Sequence, residues 1–158
     1  MPENTPQKSN TVLYVGIGCA VVLFIIPILG VIASIAIPGF ISHQHKAKQA
    51  EAFLILQQIR DAEIAYEAST SSYVEAIFYP SFVPTQDKQP WVIENSGEFK
   101  RLNWSPEGEV RGVYSVTTTS NLDFRAVGMM DIDGDGNYAT FVATKSTAPY
   151  AITAPDVY

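Results

Sequence analysis

Along residues 12–41 the side chains are apolar or small at nearly every position, interrupted by polar groups only at Tyr14, Cys19 and Ser34. About twenty such residues suffice to cross the hydrocarbon core of a bilayer, so this run predicts a membrane-spanning helix. Beyond residue 43 the pattern changes. Ala52, Ile55, Ile59, Ala62 and Tyr66 recur at steps of three and four, with Leu56 and Ala65 beside them, while Glu51, Gln57, Gln58, Arg60, Asp61, Glu63 and Glu67 mostly take the other side. That is the stripe of a helix lying against a core. The spanning segment passes straight into the stripe, which predicts a single helix that is both anchor and core element. It should end in the polar run Ser69-Thr70-Ser71-Ser72, and fifty to sixty helical residues would measure about 75 to 90 Å. Pro27 and Pro38, with Gly30 and Gly39 nearby, predict local bending or melting within the run.

Residues 74–91 hold Pro80, Pro84 and Pro90 among Phe78, Tyr79, Phe82 and Trp91. Proline opposes regular structure, so this reads as an irregular connection whose aromatic rings pack inward. Four strands are expected at residues 99–104, 110–118, 123–130 and 138–144, the second on a clear alternation of Val110, Gly112, Tyr114, Val116 and Thr118 with Arg111, Val113, Ser115 and Thr117. Ser105-Pro106-Glu107-Gly108 and Ser120-Asn121 read as turns. The expected fold is α+β, a long N-terminal transmembrane-to-amphipathic helix packed on a small antiparallel β-sheet. Its segments are a polar tail (1–11), the spanning helix (12–42), the amphipathic continuation (43–72) and a β-rich globular domain (73–158).

Charge refines this picture. The chain of 158 residues carries a net charge of −6, and its first 45 residues hold only Glu3 and Lys8, so the acidity belongs to the soluble part. An acidic domain without clustered Lys or Arg excludes nucleic acid as an expected partner. The polar first eleven residues, with one Lys, do not form the positive n-region of a cleaved secretory signal. Lys8 on one side and Lys46 and Lys48 on the other leave the orientation undecided by charge alone. Cys19 is the only cysteine and lies in the apolar run. It admits no intrachain disulfide and no cysteine-based metal site. Its surroundings suit a lipid-facing residue, not a lipidation signal.

Two motifs bear on chemistry. Asp131-Ile132-Asp133-Gly134-Asp135-Gly136-Asn137 places oxygen ligands at alternate positions, as a hard cation such as calcium requires. Asp131, Asp133, Asp135 and Asn137 are the candidate ligands. The motif is not an EF-hand, because the twelfth position from Asp131 is Val142 where a bidentate Glu belongs. It also lies between two predicted strands, where Asp-Gly is a common hairpin turn, so calcium loop and bare hairpin both stand. His43 and His45, the only histidines, point about 200° apart on a helix and do not suit a shared metal. There is no nucleophile elbow, phosphate loop or dinucleotide fingerprint. The chain is expected not to be an enzyme, and no cofactor other than calcium is suggested.

Gly30, followed by Ile35-Ala36-Ile37-Pro38-Gly39-Phe40 and then Lys46-Ala47-Lys48-Gln49-Ala50-Glu51-Ala52, resembles the helix of type IV pilins and of the pseudopilins of type II secretion systems. Gly30 and Pro38 stand eight apart, as in that family. The resemblance covers about the first seventy residues, and the sheet by pattern only. It implies a single-pass subunit of the bacterial inner membrane, with its C-terminal domain periplasmic or extracellular, other pilin-like subunits as partners, and Gly30 and Pro38 in helix assembly. It also implies prepilin cleavage between Gly16 and Ile17. Two departures accompany it. The residues around that cut are Tyr14-Val15-Gly16-Ile17-Gly18-Cys19-Ala20-Val21 instead of a charged residue and Phe-Thr-Leu-Ile-Glu. Val21 stands where the family's glutamate is thought to neutralise a neighbour's amino terminus. An amino terminus freed among apolar helices without a carboxylate would be costly, which fits a minor or unprocessed subunit. The alternative expectation is a single-pass membrane protein whose acidic domain binds calcium or a partner without forming a filament.

Overall fold

The computed structural model describes residues 10–158 except Asn121. The tail with Glu3 and Lys8, and half of the expected Ser120-Asn121 turn, lie outside the described residues. The chain divides into two compact units, Met1–Ser42 and His43–Tyr158.

Helix α1 runs Thr11–Thr70 with Pro27 and Pro38 inside it. Neither proline melts it: every residue between those limits is helical. Each proline lacks the N–H that would bond the carbonyl four residues earlier. In the first unit the helix is apolar on all sides, with Phe24 75% and Ile35 74% exposed, and it is long and apolar enough to cross a membrane. The other end stops where expected. Ser69 and Thr70 hydroxyls donate to the Tyr66 carbonyl at 2.9 and 2.8 Å, and Ser71 adopts a left-handed conformation with φ 58°.

In the second unit, residues 43–70 of α1 pack on an antiparallel sheet of order β1-β4-β5-β6-β7. The strands are β1 (Ala76–Tyr79), β4 (Val113–Ser120), β5 (Asp123–Met130), β6 (Ala139–Thr144) and β7 (Tyr150–Ala151). A separate two-stranded ribbon joins β2 (Gln89–Pro90) to β3 (Glu109–Val110). Ala52, Leu56 and Ile59 are fully buried, in one cluster with Phe99, Tyr114, Val116, Phe124, Ala126, Met130 and Phe141. Ala62 and Tyr66 are partly buried at its margin, and Ala65 is exposed.

The strands at 123–130 and 138–144 form nearly as expected. Residues 99–104 do not: Gly97–Leu102 is a 3-10 helix. Gly97 at φ 60° opens it and Asn103 at φ 50° closes it, and three-residue spacing places Phe99 and Leu102, both buried, on one side. The strand at 110–118 is interrupted at Arg111 and Gly112. There the Arg111 N–H donates to the Glu51 carboxylate on α1, and the Tyr114 ring lies so close to Gly112 that a Cβ would stand 2.8 Å from its hydroxyl. The proline-rich connection contains two short strands, β1 and β2. Its Trp91 does pack inward, with ring centroids 4.9 Å from Tyr79, 5.3 Å from Phe99 and 5.5 Å from Trp104. Phe82 does not, and stands 70% exposed.

Side chains of α1 also clasp the far end of the chain. Arg60 donates to the carbonyls of Thr144 and Lys145 at 2.9 and 2.8 Å. Gln49 donates to the Val157 carbonyl at 2.7 Å, and His45 meets the Tyr158 ring edge to face at 4.8 Å.

Candidate functional site

The first candidate region is the apolar part of α1. Gly16, Gly30 and Gly39 each have open space where a Cβ would stand. Small residues of this kind let another helix approach closely where lipid supplies no hydrophobic drive. Gly16, Ile17, Gly30 and Pro38 lie on one helix and are all exposed. They make a surface and not a pocket. Val21 is likewise exposed and apolar, and the described residues of the first unit carry no formal charge. The region can bury itself in hydrocarbon or against other apolar helices, and offers no acid–base chemistry.

The second region is the turn between β5 and β6. Asp131 follows the last residue of β5 and is only 8% exposed. Its Oδ1 accepts the Gly134 N–H at 2.8 Å, folding the chain back with Gly134 at φ 77° and Gly136 at φ 81°. Both are left-handed values that glycine adopts without strain. Asp135 accepts the Asn137 N–H at 2.7 Å and the Asn137 side-chain amide at 2.8 Å. These bonds, the side-chain one foremost, hold its carboxyl below the usual range. From the neighbouring connection Gln86 donates to the Asp133 carbonyl at 3.2 Å.

The three aspartates among the expected ligands converge. One carboxylate oxygen from each of Asp131, Asp133 and Asp135 lies within 4.8 Å of the others, about the span of two calcium–oxygen bonds. The Asn137 side-chain amide N–H donates to Asp135. Val142 is buried in β6, so the EF-hand geometry is absent as anticipated. The three oxygens suit a hard cation that takes its remaining ligands from water or carbonyls. The same turn is also held by its own hydrogen bonds, as a hairpin needs. Compared with protein-family models, with curated proteins and with solved structures, the chain matches none.

Sequence reasoning placed Glu63 on the polar side of the helix, and this is corrected. Glu63 is fully buried. It follows Ile59 by four residues, which on a 3.6-residue period returns it to the core face, and that spacing was the available signal. Its carboxyl Oε2 accepts the Val74 N–H at 2.9 Å. Burial pushes its pKa up to about 7, against the opposing effects of that bond and of the Arg101 charge.

Proposed function

We propose that this chain is a membrane-anchored, pilin-like structural subunit of a type IV pilus or a type II secretion pseudopilus, minor or unprocessed, in a bacterial inner membrane, with its C-terminal domain periplasmic or extracellular. The observation that carries the reading is the form of α1. An exposed apolar half with Gly30 and the Ile35 to Phe40 run continues into a half whose stripe is sealed onto an antiparallel sheet. An apolar helix surface has two fitting environments, lipid and other apolar helices. A filament subunit uses both in turn. Val21 leaves no carboxylate for a neighbour's freed amino terminus, which supports retention of the polar tail. The mass of the native amino terminus, measured with and without the prepilin peptidase, tests processing: a chain beginning at Met1 in both cells supports an unprocessed subunit. One beginning at Ile17 only when the peptidase is present removes that feature and keeps the pilin reading.

A second reading keeps the scaffold and gives the acidic domain a cation. The approach of three carboxylates to within 4.8 Å favours it. Calorimetric titration of the detergent-solubilised chain with calcium decides: heat, or a rise in melting temperature at millimolar calcium, supports the site, and the absence of both removes it.

A further inference from the structure

Among the described side chains, Glu63 combines complete burial with a half-satisfied carboxyl. Oε2 accepts the Val74 N–H at 2.9 Å, and Oε1 has no hydrogen-bond partner. The surrounding ionisable groups are engaged elsewhere. Arg101, on the 3-10 helix, supplies the cationic field at Glu63, yet its guanidinium donates to Glu98 at 3.0 Å and to the Tyr66 hydroxyl at 2.7 Å. One turn back on α1, Arg60 is spent on the Thr144 and Lys145 carbonyls. One turn ahead, Glu67 pairs with Lys145 at 3.4 Å. Lys145 also lies over the Tyr73 ring, whose hydroxyl donates to Leu122, and the Lys145 N–H donates to Asp123. Among the described residues no cation forms a salt bridge with Glu63.

The bond that Glu63 does make has a specific position. Val74 follows the left-handed Ser71 that ends α1 and precedes β1. Strand β1 is an edge strand, paired only with β4 through Ala76↔Val116 and Tyr79↔Tyr114, with a register shift between them. Beyond that pairing β1 is held by buried Ala76 and by Tyr79, whose hydroxyl donates to the Val92 carbonyl at 3.0 Å, and it begins two residues after the Val74 that Glu63 fastens.

We propose that Glu63 is a proton-operated latch: protonated, it fastens the 71–75 connection to the helix, and ionised, it loosens that connection and edge strand β1 with it. A buried carboxylate with one bare oxygen is relieved only by admitting water. The Val74 bond by itself favours the ionised form, but burial outweighs it, and in the proposed latch the yielding segment is the one bonded there. Loosening β1 uncovers the backbone edge of β4 while the β4-β5-β6 ladders stay paired, leaving an edge open to another strand. The direction follows from linkage. The folded chain holds this proton up to about pH 7, whereas an exposed glutamate releases it near 4.5. The stabilisation is complete below pH 4.5, declines above it, and is lost as pH rises through 7.

Amide hydrogen exchange on the full chain in detergent micelles tests this between pH 5 and 8.5, with rates corrected for intrinsic chemistry. Protection across residues 72–79 should fall by up to about tenfold per pH unit between pH 5 and 7 and level off above 7, as expected for opening linked to loss of one proton, while residues 125–130 of β5 stay level. Glu63→Gln keeps an acceptor for the Val74 N–H without the charge, and its protection should be flat with pH. Carbon-13 NMR of the wild-type carboxyl gives a readout that needs no variant and should show a midpoint near 7. A midpoint near 4.5, level protection at 72–79 in the wild type, or a folded Glu63→Gln chain with the wild-type slope would overturn the proposal.

Discussion

The two halves of α1 are built from similar residues and meet opposite surroundings. Leu23 is 71% exposed, whereas Leu56 is fully buried. The difference lies in what stands between the apolar positions. Around Leu56 the helix carries Gln57, Gln58, Arg60 and Asp61, so there is one apolar stripe and one face for the sheet to cover. Around Leu23 every direction is apolar, and one face of contact could not cover it. The helix is therefore suited to two environments, and the sequence marks the change at the first charges after the run, Lys46 and Lys48.

The contrast breaks most visibly with alanine. Leu56→Ala should cost the domain about 2 to 5 kcal/mol, through lost burial and the cavity left behind. Leu23→Ala should leave the domain's thermal or denaturant midpoint unchanged. Equal losses at both positions would mean that the first half is core and not anchor. Charge should act in the opposite sense. Leu23→Lys should cost about 3 kcal/mol of membrane insertion, shifting the chain out of the carbonate-resistant membrane fraction while the domain melts as before.

Within the domain, Gly112→Ala should cost about 1 to 3 kcal/mol by overpacking. The new Cβ would lie 2.8 Å from the Tyr114 hydroxyl and 3.2 Å from the Met129 carbonyl, and the latter belongs to backbone. The smallest effect is expected at Tyr114→Phe. The Tyr114 hydroxyl is buried without a partner, so its removal should be neutral or stabilising by less than about 1 kcal/mol. Chemical denaturation of the two variants against the wild type checks both signs.

Legibility in the sequence followed how local the determining interactions were. The spanning run, the stripe through Ala52, Ile55 and Ile59, and strand β5 were readable because periodicity within one segment specifies them. Residues 99–104 were misread because their apolar positions fit a strand as well as a 3-10 helix. The choice fell to Gly97 and Asn103, which tolerate left-handed backbone. The two-residue strands β2 and β7 are too short for any period; β2 owes its existence to a partner about twenty residues away and β7 to the strand before it. Of the candidate site, the meeting of Asp131, Asp133 and Asp135 was legible from their spacing. The bond from the Asn137 amide to Asp135 was not, since it depends on how the turn closes. Glu63 was missed because its charge was weighed above its position four residues after Ile59.

The claim that most needs a direct test is that the exposed apolar half of α1 packs with other pilin-like subunits after leaving the lipid. Filaments sheared from the cell surface, pelleted and probed for this chain give the answer. Recovery of the chain in the filament pellet, with the domain still folded, is expected. Its presence solely as monomers in the membrane fraction, with none in sheared filaments, would contradict the account.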